Sequence, residues 1–252
     1  MRSEHPQEAH IPGLRRLWQE AFGDTDAFLD GFFSTAFSPE RCLCVCRGEQ
    51  VLSAAYWLDG QLPEGKCAYI YAVATAKACR GQGLAKSVMA QIRETLQRQG
   101  YVAAILVPGE PSLADFYGAM GYGLCGSVQQ IACTAAETAV PLKEITAAEY
   151  AAARRKLLPP GGVVQERENL EFLQTQWKLY AGEKSLLAAT QKDGTLTAME
   201  YLGEPALCGG ILRTLNCSRG TFRMPGAQIP FAMYLPFFES SIKPGYFGLA
   251  FD

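Results

Sequence analysis

The sequence carries no excess of charge, almost no histidine and no long apolar run. Lysine plus arginine number 23 against 25 aspartate plus glutamate, a formal net charge of −2. That balance gives no electrostatic reason to expect nucleic acid or an anionic membrane as a partner. No stretch approaches the roughly 18 apolar residues that a membrane-spanning helix needs. The N-terminus, MRSEHPQEAH, is unlike a signal peptide. His5 and His10 are the only histidines, which leaves little for an imidazole-based metal site. Two phosphate-binding signatures are missing as well. Lys86-Ser87 follows Ala85 where a Walker loop needs glycine, and Lys86 stands where a dinucleotide fingerprint wants Gly or Ala.

There is, by contrast, ample core material: 48% of the 252 residues are hydrophobic, enough for one domain or two. Nine cysteines without a secretion signal predict reduced thiols and a cytoplasmic location. Cys42, Cys44 and Cys46 share one face at strand spacing, but structural zinc sites use Cys-x2–4-Cys, so a packed strand and no metal is the expectation.

The most informative stretch is Tyr69 to Gly100. Tyr69 to Thr75 has the composition of a buried strand. A turn with Arg80-Gly81-Gln82-Gly83 follows, and then Leu84, Val88, Ile92 and Leu96 mark one face of a helix that Gly100 ends. Tyr101 to Val107 reads as a second buried strand, so the unit is βαβ with parallel strands. A helix N-terminus presents unpaired N–H groups and the positive end of its dipole. Glycines at 81 and 83 let an anion approach, and Arg80 and Lys86 add charge. A phosphate or pyrophosphate is the guest this suggests, against the plainer alternative of a glycine turn before a packed helix.

Arg80-Gly81-Gln82-Gly83-Leu84-Ala85 resembles the Arg-x-x-Gly-x-Ala pyrophosphate loop of the GNAT-type N-acetyltransferases. Downstream, Pro111 to Tyr122 contains Ser112 and Asp115 as a capping box, and its Phe-Tyr-x-x-x-Gly-Tyr ending resembles that family's fourth helix. Tyr117 matches the tyrosine that faces the thioester sulfur; a core aromatic is the alternative. The resemblance covers residues 1–135 and implies an acetyl-CoA-dependent N-acetyltransferase. Val73, Ala74 and Thr75 would hold the pantetheine arm, Arg80 through Lys86 (Arg80, Gly81, Gln82, Gly83, Leu84, Ala85, Lys86) the pyrophosphate, and Tyr117 would protonate the leaving thiolate. The acceptor would be an amine on a small molecule or a peptide. A non-catalytic acyl-CoA-binding sensor or scaffold, and a structural interaction protein, are the other readings.

The chemistry demands a proton acceptor, since an alkylammonium of pKa roughly 10.4 costs about 4.6 kcal/mol to deprotonate at pH 7. Glu64, Glu110 and Asp115 are carboxylates within reach in sequence. Multi-domain relatives that acetylate aminoglycosides bring a C-terminal carboxylate into the active site; by that resemblance Asp252 is a candidate base, a closing edge strand being the alternative. Little before Pro12 looks like the family's first strand. The second helix bears Phe28, Leu29, Phe32 and Phe33, candidates for an acceptor pocket by the family's pattern, with core packing as the reading for most of them.

From Ala135 to Pro141 the composition turns to that of a linker. Beyond it, a short strand, helices over Thr146 to Leu158 and Arg167 to Tyr180, a hairpin at Asp193-Gly194, a helix over Pro205 to Leu215 and further strands, Tyr246 to Phe251 last, repeat the order of the first half. No glycine loop recurs there. The expectation is a mixed α/β sheet: a GNAT fold over residues 1–135 and a degenerate GNAT-like half over 136–252, an unrelated α+β extension being the alternative.

Overall fold

The computed structural model describes residues 3–238 and 243–251. In chain order its elements are α1 (Ile11–Phe22), α2 (Asp26–Thr35), β1 (Cys42–Arg47), β2 (Gln50–Leu62), β3 (Gly65–Thr75), α3 (Leu84–Arg98), β4 (Ala103–Leu106), α4 (Leu113–Gly118), β5 (Gly123–Thr134), β6 (Lys143–Glu144), α5 (Ala147–Leu157), β7 (Val164–Gln165), α6 (Glu168–Gln176), β8 (Lys178–Gly182), β9 (Ser185–Lys192), β10 (Thr195–Leu202), α7 (Cys208–Thr214), β11 (Arg219–Pro225) and β12 (Ile229–Pro236). None of the described helices is long and apolar enough to cross a membrane.

One mixed sheet runs through the molecule in the order β1-β2-β3-β4-β12-β5-β11-β10-β9-β8-β6, with β7 paired to the end of β2. The expected βαβ unit is there: β3 and β4 are parallel and α3 crosses between them. Helix α3 lays Leu84, Val88, Ile92 and Leu96 against the sheet, each 8% exposed or less. Burying one such side chain contributes about 1.5–3 kcal/mol. Gly100 at φ 78° ends the helix in the left-handed conformation a side chain resists.

The second half repeats this plan. Helices α5 and α6, strands β8, β9 and β10, helix α7 and strands β11 and β12 follow the order of α1, α2, β1, β2, β3, α3, β4 and β5, and β10 and β11 are again parallel. The two halves trade their last strands. β12 lies between β4 and β5, while β5 lies between β12 and β11. Helix α2 also packs on α6, where Phe28 and Phe32 meet Phe172 at ring distances of 5.3 and 5.4 Å.

Local signals hold at some helix ends and fail at others. Thr25 caps α2, and Thr146 with Glu149 forms a reciprocal capping box at α5. Ser112 makes no such box with Asp115; its hydroxyl donates to Glu110 at 2.6 Å, so α4 starts uncapped by a side chain. In place of a first strand, a single antiparallel bridge joins Glu4 to Cys44. The helix expected over Arg167 to Tyr180 stops at Gln176. Leu179 and Tyr180 face opposite cores, a demand that only an extended strand paired to β9 meets.

Tyr246 to Phe251 is buried but is not a strand. Tyr246 makes only an isolated bridge to Gly162, its carbonyl accepting the Val163 N–H at 2.9 Å, and side chains take carbonyls further on: Gln165 donates to Leu249 O at 2.9 Å and Tyr71 to Phe251 O at 2.9 Å. The candidate base Asp252 lies outside the described residues.

Candidate active site

The site begins where β3 and β4 separate. Their ladder runs only from Cys67↔Ala103 to Tyr69↔Ile105, while β3 continues to Thr75. Beyond Tyr69 no strand among the described residues pairs with the edge of β3 that faces β4, and a cleft opens beside it. A bulge sits at the same place. Ala54 pairs with Ala74 and Tyr56 with Tyr71, leaving Ala72 and Val73 opposite one residue. Ala72 has φ 48°, a left-handed conformation that costs an alanine about 1–2 kcal/mol. Strain of this kind tends to persist where function needs the local geometry.

The Arg80–Lys86 loop forms the floor of that cleft. Gly81 and Gly83 both have φ 75°, and a Cβ built on either meets nothing within 4 Å. Both glycines are thus required by backbone conformation, and the space beside them is open. Gly83 is the N-cap of α3, and no side chain caps that end. Arg80 Nε donates to Thr75 O at 3.3 Å, tying the loop to the end of β3. A cavity of about 660 Å³ is lined by Val73, Ala74, Thr75, Arg80, Gly81, Gly83, Leu84, Ala85, Lys86 and Tyr117. Every residue expected to hold the donor lines it except Gln82, which is exposed on the loop.

Tyr117 closes the far wall from α4 and is 7% exposed. Burial pushes its phenol up to about 12, so it stays protonated through neutral and mildly alkaline pH. Glu110 also lines the cleft; Glu64 and Asp115 do not.

A second cavity of about 310 Å³ opens off the first and shares Phe22, Val73, Leu113 and Tyr117 with it. Trp18, Phe28, Tyr69, Tyr71 and Phe251 line it, brought from α1, α2, β3 and the C-terminal segment. Leu29 and Phe32 of α2 are instead buried in the core. Asp24 stands in this lining and accepts the Trp18 indole N–H at 2.8 Å. Thr25, not Asp24, caps α2, and Asp24 is among the residues that line the pocket. Phe251 is distant in sequence from every other lining residue, and no local pattern marks it.

The cysteine strand is packed into the core, and the tertiary structure adds His10 to it. One ligand atom from each of His10, Cys44 and Cys46 lies within 4.8 Å of the others. His10 Nδ1 accepts the Gln7 backbone N–H at 3.1 Å, which puts the ring proton on Nε2, and burial pushes both thiols up. Each would have to shed a proton before holding a metal.

A mixed sheet that splays over an uncapped helix N-terminus, with a buried phenol across the gap, is an arrangement that fits an acyltransferase. Residues 3–125 match the family model for the acetyltransferase (GNAT) domain, and the N-terminal half of the chain belongs to that family. No curated protein matches the sequence. Solved structures extend the likeness over both halves. A GCN5-related N-acetyltransferase from Kribbella flavida superposes with a TM-score of 0.71 at 18% identity, covering 92% of this chain and 70% of that one. Another from Anabaena variabilis ATCC 29413 gives 0.71 at 14%, covering 92% and 72%. A tandem GNAT protein from the clavulanic acid biosynthesis pathway gives 0.58 at 12%, covering 95% of this chain and 100% of that one. At these identities the likeness is one of fold: a GNAT fold with a second, GNAT-like half.

The second half lacks a donor loop of this kind. Between β10 and α7 stand Gly203, Glu204 and a short turn over Pro205–Leu207, so a carboxylate occupies the region where the first half has Arg80. β10 keeps a bulge, between Ala198 and Glu200, but there it turns Glu200 inward onto Arg154.

Proposed function

We propose that the protein transfers an acetyl group from acetyl-CoA to a primary amine, in the cleft between β3 and β4. The observation that carries this reading is the open, uncapped start of α3 at Gly83, placed at the mouth of the splay that ends on Tyr117. The residues fit such a donor. Amides at the start of α3, with Arg80 and Lys86, suit a pyrophosphate. The free edge of β3 from Val73 to Thr75 suits the amide-bearing pantetheine arm, and main-chain N–H groups around Val73 suit the developing oxyanion. The donor supplies the activated acyl group. Tyr117 would be the proton donor to the departing thiolate, and burial keeps it protonated at neutral pH. Asp252, the candidate base that the family resemblance offers, lies outside the described residues and is given no place in the site. Nine free thiols support a reducing compartment such as the cytoplasm.

Tyr117→Phe tests the reading by thiol release and calorimetry. Loss of a general acid is expected to lower kcat about 10²-fold or more, with the Kd for acetyl-CoA unchanged. An acyl-CoA sensor would bind the donor and show no turnover in either form. The pH profile is a second check. Because the phenol titrates near 12, kcat should rise with pH as the amine loses its proton and show no descending limb below pH 10. A fall centred near pH 8 would assign the acid to another group.

Gly83→Val probes the loop. A β-branched residue at φ 75° is strained by about 1–2 kcal/mol, a modest loss of Tm. Acetyl-CoA at about 100 times its Kd should add roughly 2.7 kcal/mol to the wild type and little to the variant. Equal protection of both would move the donor elsewhere.

A further inference from the structure

The geometry points to the class of acceptor. We propose that the 310 Å³ cavity binds an amine carried on an aromatic or similarly broad apolar group and bearing one positive charge: an arylalkylamine in chemistry. The proposal rests on the transferase reading above and narrows its acceptor.

The walls are rings. Trp18 and Tyr71 lie 5.5 Å apart, Tyr69 and Tyr71 5.6 Å, Tyr71 and Phe251 5.8 Å, and Trp18 and Phe28 6.3 Å. They form one continuous surface around the cavity. An apolar ring is removed from water there, and an ammonium is attracted to the ring faces. The lining contains no lysine or arginine among the described residues, and Asp24 is its only carboxylate. That carboxylate is already fixed by the Trp18 indole N–H at 2.8 Å, so it is pre-positioned as one counter-charge.

Charge counting separates the acceptor classes. A polyamine or an aminoglycoside brings further ammonium groups, and aromatic walls with one carboxylate leave those charges stripped of water and unpaired. A free amino acid brings a carboxylate that meets no cation in the lining. A monoamine on an aromatic ring leaves neither debt. Its amine also reaches the chemistry, since Val73 and Tyr117 line both this cavity and the donor cleft.

The test is steady-state thiol release by the full chain with saturating acetyl-CoA and a panel of 2-phenylethylamine, tryptamine, spermidine, kanamycin and lysine. The expected result is a kcat/KM for 2-phenylethylamine at least 100-fold above that for spermidine or kanamycin. Phe28→Leu keeps apolar volume but removes a ring, and should raise the KM for 2-phenylethylamine about tenfold while leaving acetyl-CoA affinity unchanged. Asp24→Asn keeps an acceptor for Trp18 and removes the charge; it should raise the same KM, most at low salt. Preference for spermidine, kanamycin or lysine overturns the acceptor class and leaves the transferase standing. If no amine releases thiol, calorimetry with 2-phenylethylamine decides. Binding that Phe28→Leu weakens upholds the pocket's ligand class while the transferase reading falls. No binding overturns the acceptor class.

Discussion

Residues 1–135 expressed alone are expected to yield no stable monomer. Strand β4 is buried on both faces, with Ala103 to Leu106 each 2% exposed or less, and it pairs on both edges. One of those edges belongs to β12, from Ala103↔Pro236 to Leu106↔Met233. β12 also pairs β5 from Gly123↔Tyr234 to Val128↔Ile229. Without residues 136–252 both strands present bare apolar edges, the condition that drives aggregation or strand exchange between copies. Each ladder hydrogen bond lost costs about 0.5–1.5 kcal/mol, and the Phe172 and Phe251 contacts to the first half go with them. Light scattering on a sizing column should show oligomers or aggregate, and a separately made 136–252 chain should restore soluble material. A monomer with a sharp melt and protection by acetyl-CoA would show that the strand exchange is dispensable.

Glu200→Ala should be among the most damaging point substitutions. Arg154 Nε and Nη2 donate to the two Glu200 oxygens at 2.7 and 2.9 Å, Tyr150 donates to Oε2 at 3.0 Å, and Arg154 Nη1 donates to Val163 O at 2.9 Å. Arg154 is 1% and Glu200 0% exposed. Removing the carboxylate strands a guanidinium in the core, a loss of about 3–5 kcal/mol. For a chain this long that corresponds to a fall in Tm of roughly 10 °C. Replacing Arg154 and Glu200 together by leucines removes both charges, so the double variant should lose clearly less than the sum of the single losses. Calorimetric scans of the wild type, Arg154→Leu, Glu200→Leu and the double leucine variant read this directly. Additive losses would mean that the pair does not act as a unit.

The first half was readable because its signals are local. A buried strand, a glycine turn, a 3.6-residue apolar period and a stopping glycine sit within Tyr69 to Gly100, and each is settled by neighbours in sequence. The Arg80–Ala85 turn lies in the same stretch, and Tyr117 was singled out from a second local pattern, Pro111 to Tyr122. The Asp193-Gly194 turn, at φ 49° and 69°, was equally plain for equally local reasons. Misreadings arose where a distant partner decides. Lys178–Gly182 became a strand because β9 offers an edge between two cores, and Tyr246 to Phe251 gave up strand pairing for side-chain partners on β3, β7 and β11.

The sequence alone therefore determined the βαβ unit, the glycine start of α3 and the repeat of element order, since backbone conformation and amphipathic period are properties of neighbouring residues. Tertiary structure alone decided that β5 and β12 change places, that Asp24 lines a pocket, and that Phe251 meets Tyr69 and Tyr71. These pairings join residues as much as 182 positions apart. They depend on which buried edges and faces remain unsatisfied once the local elements have formed, and no local pattern carries that information.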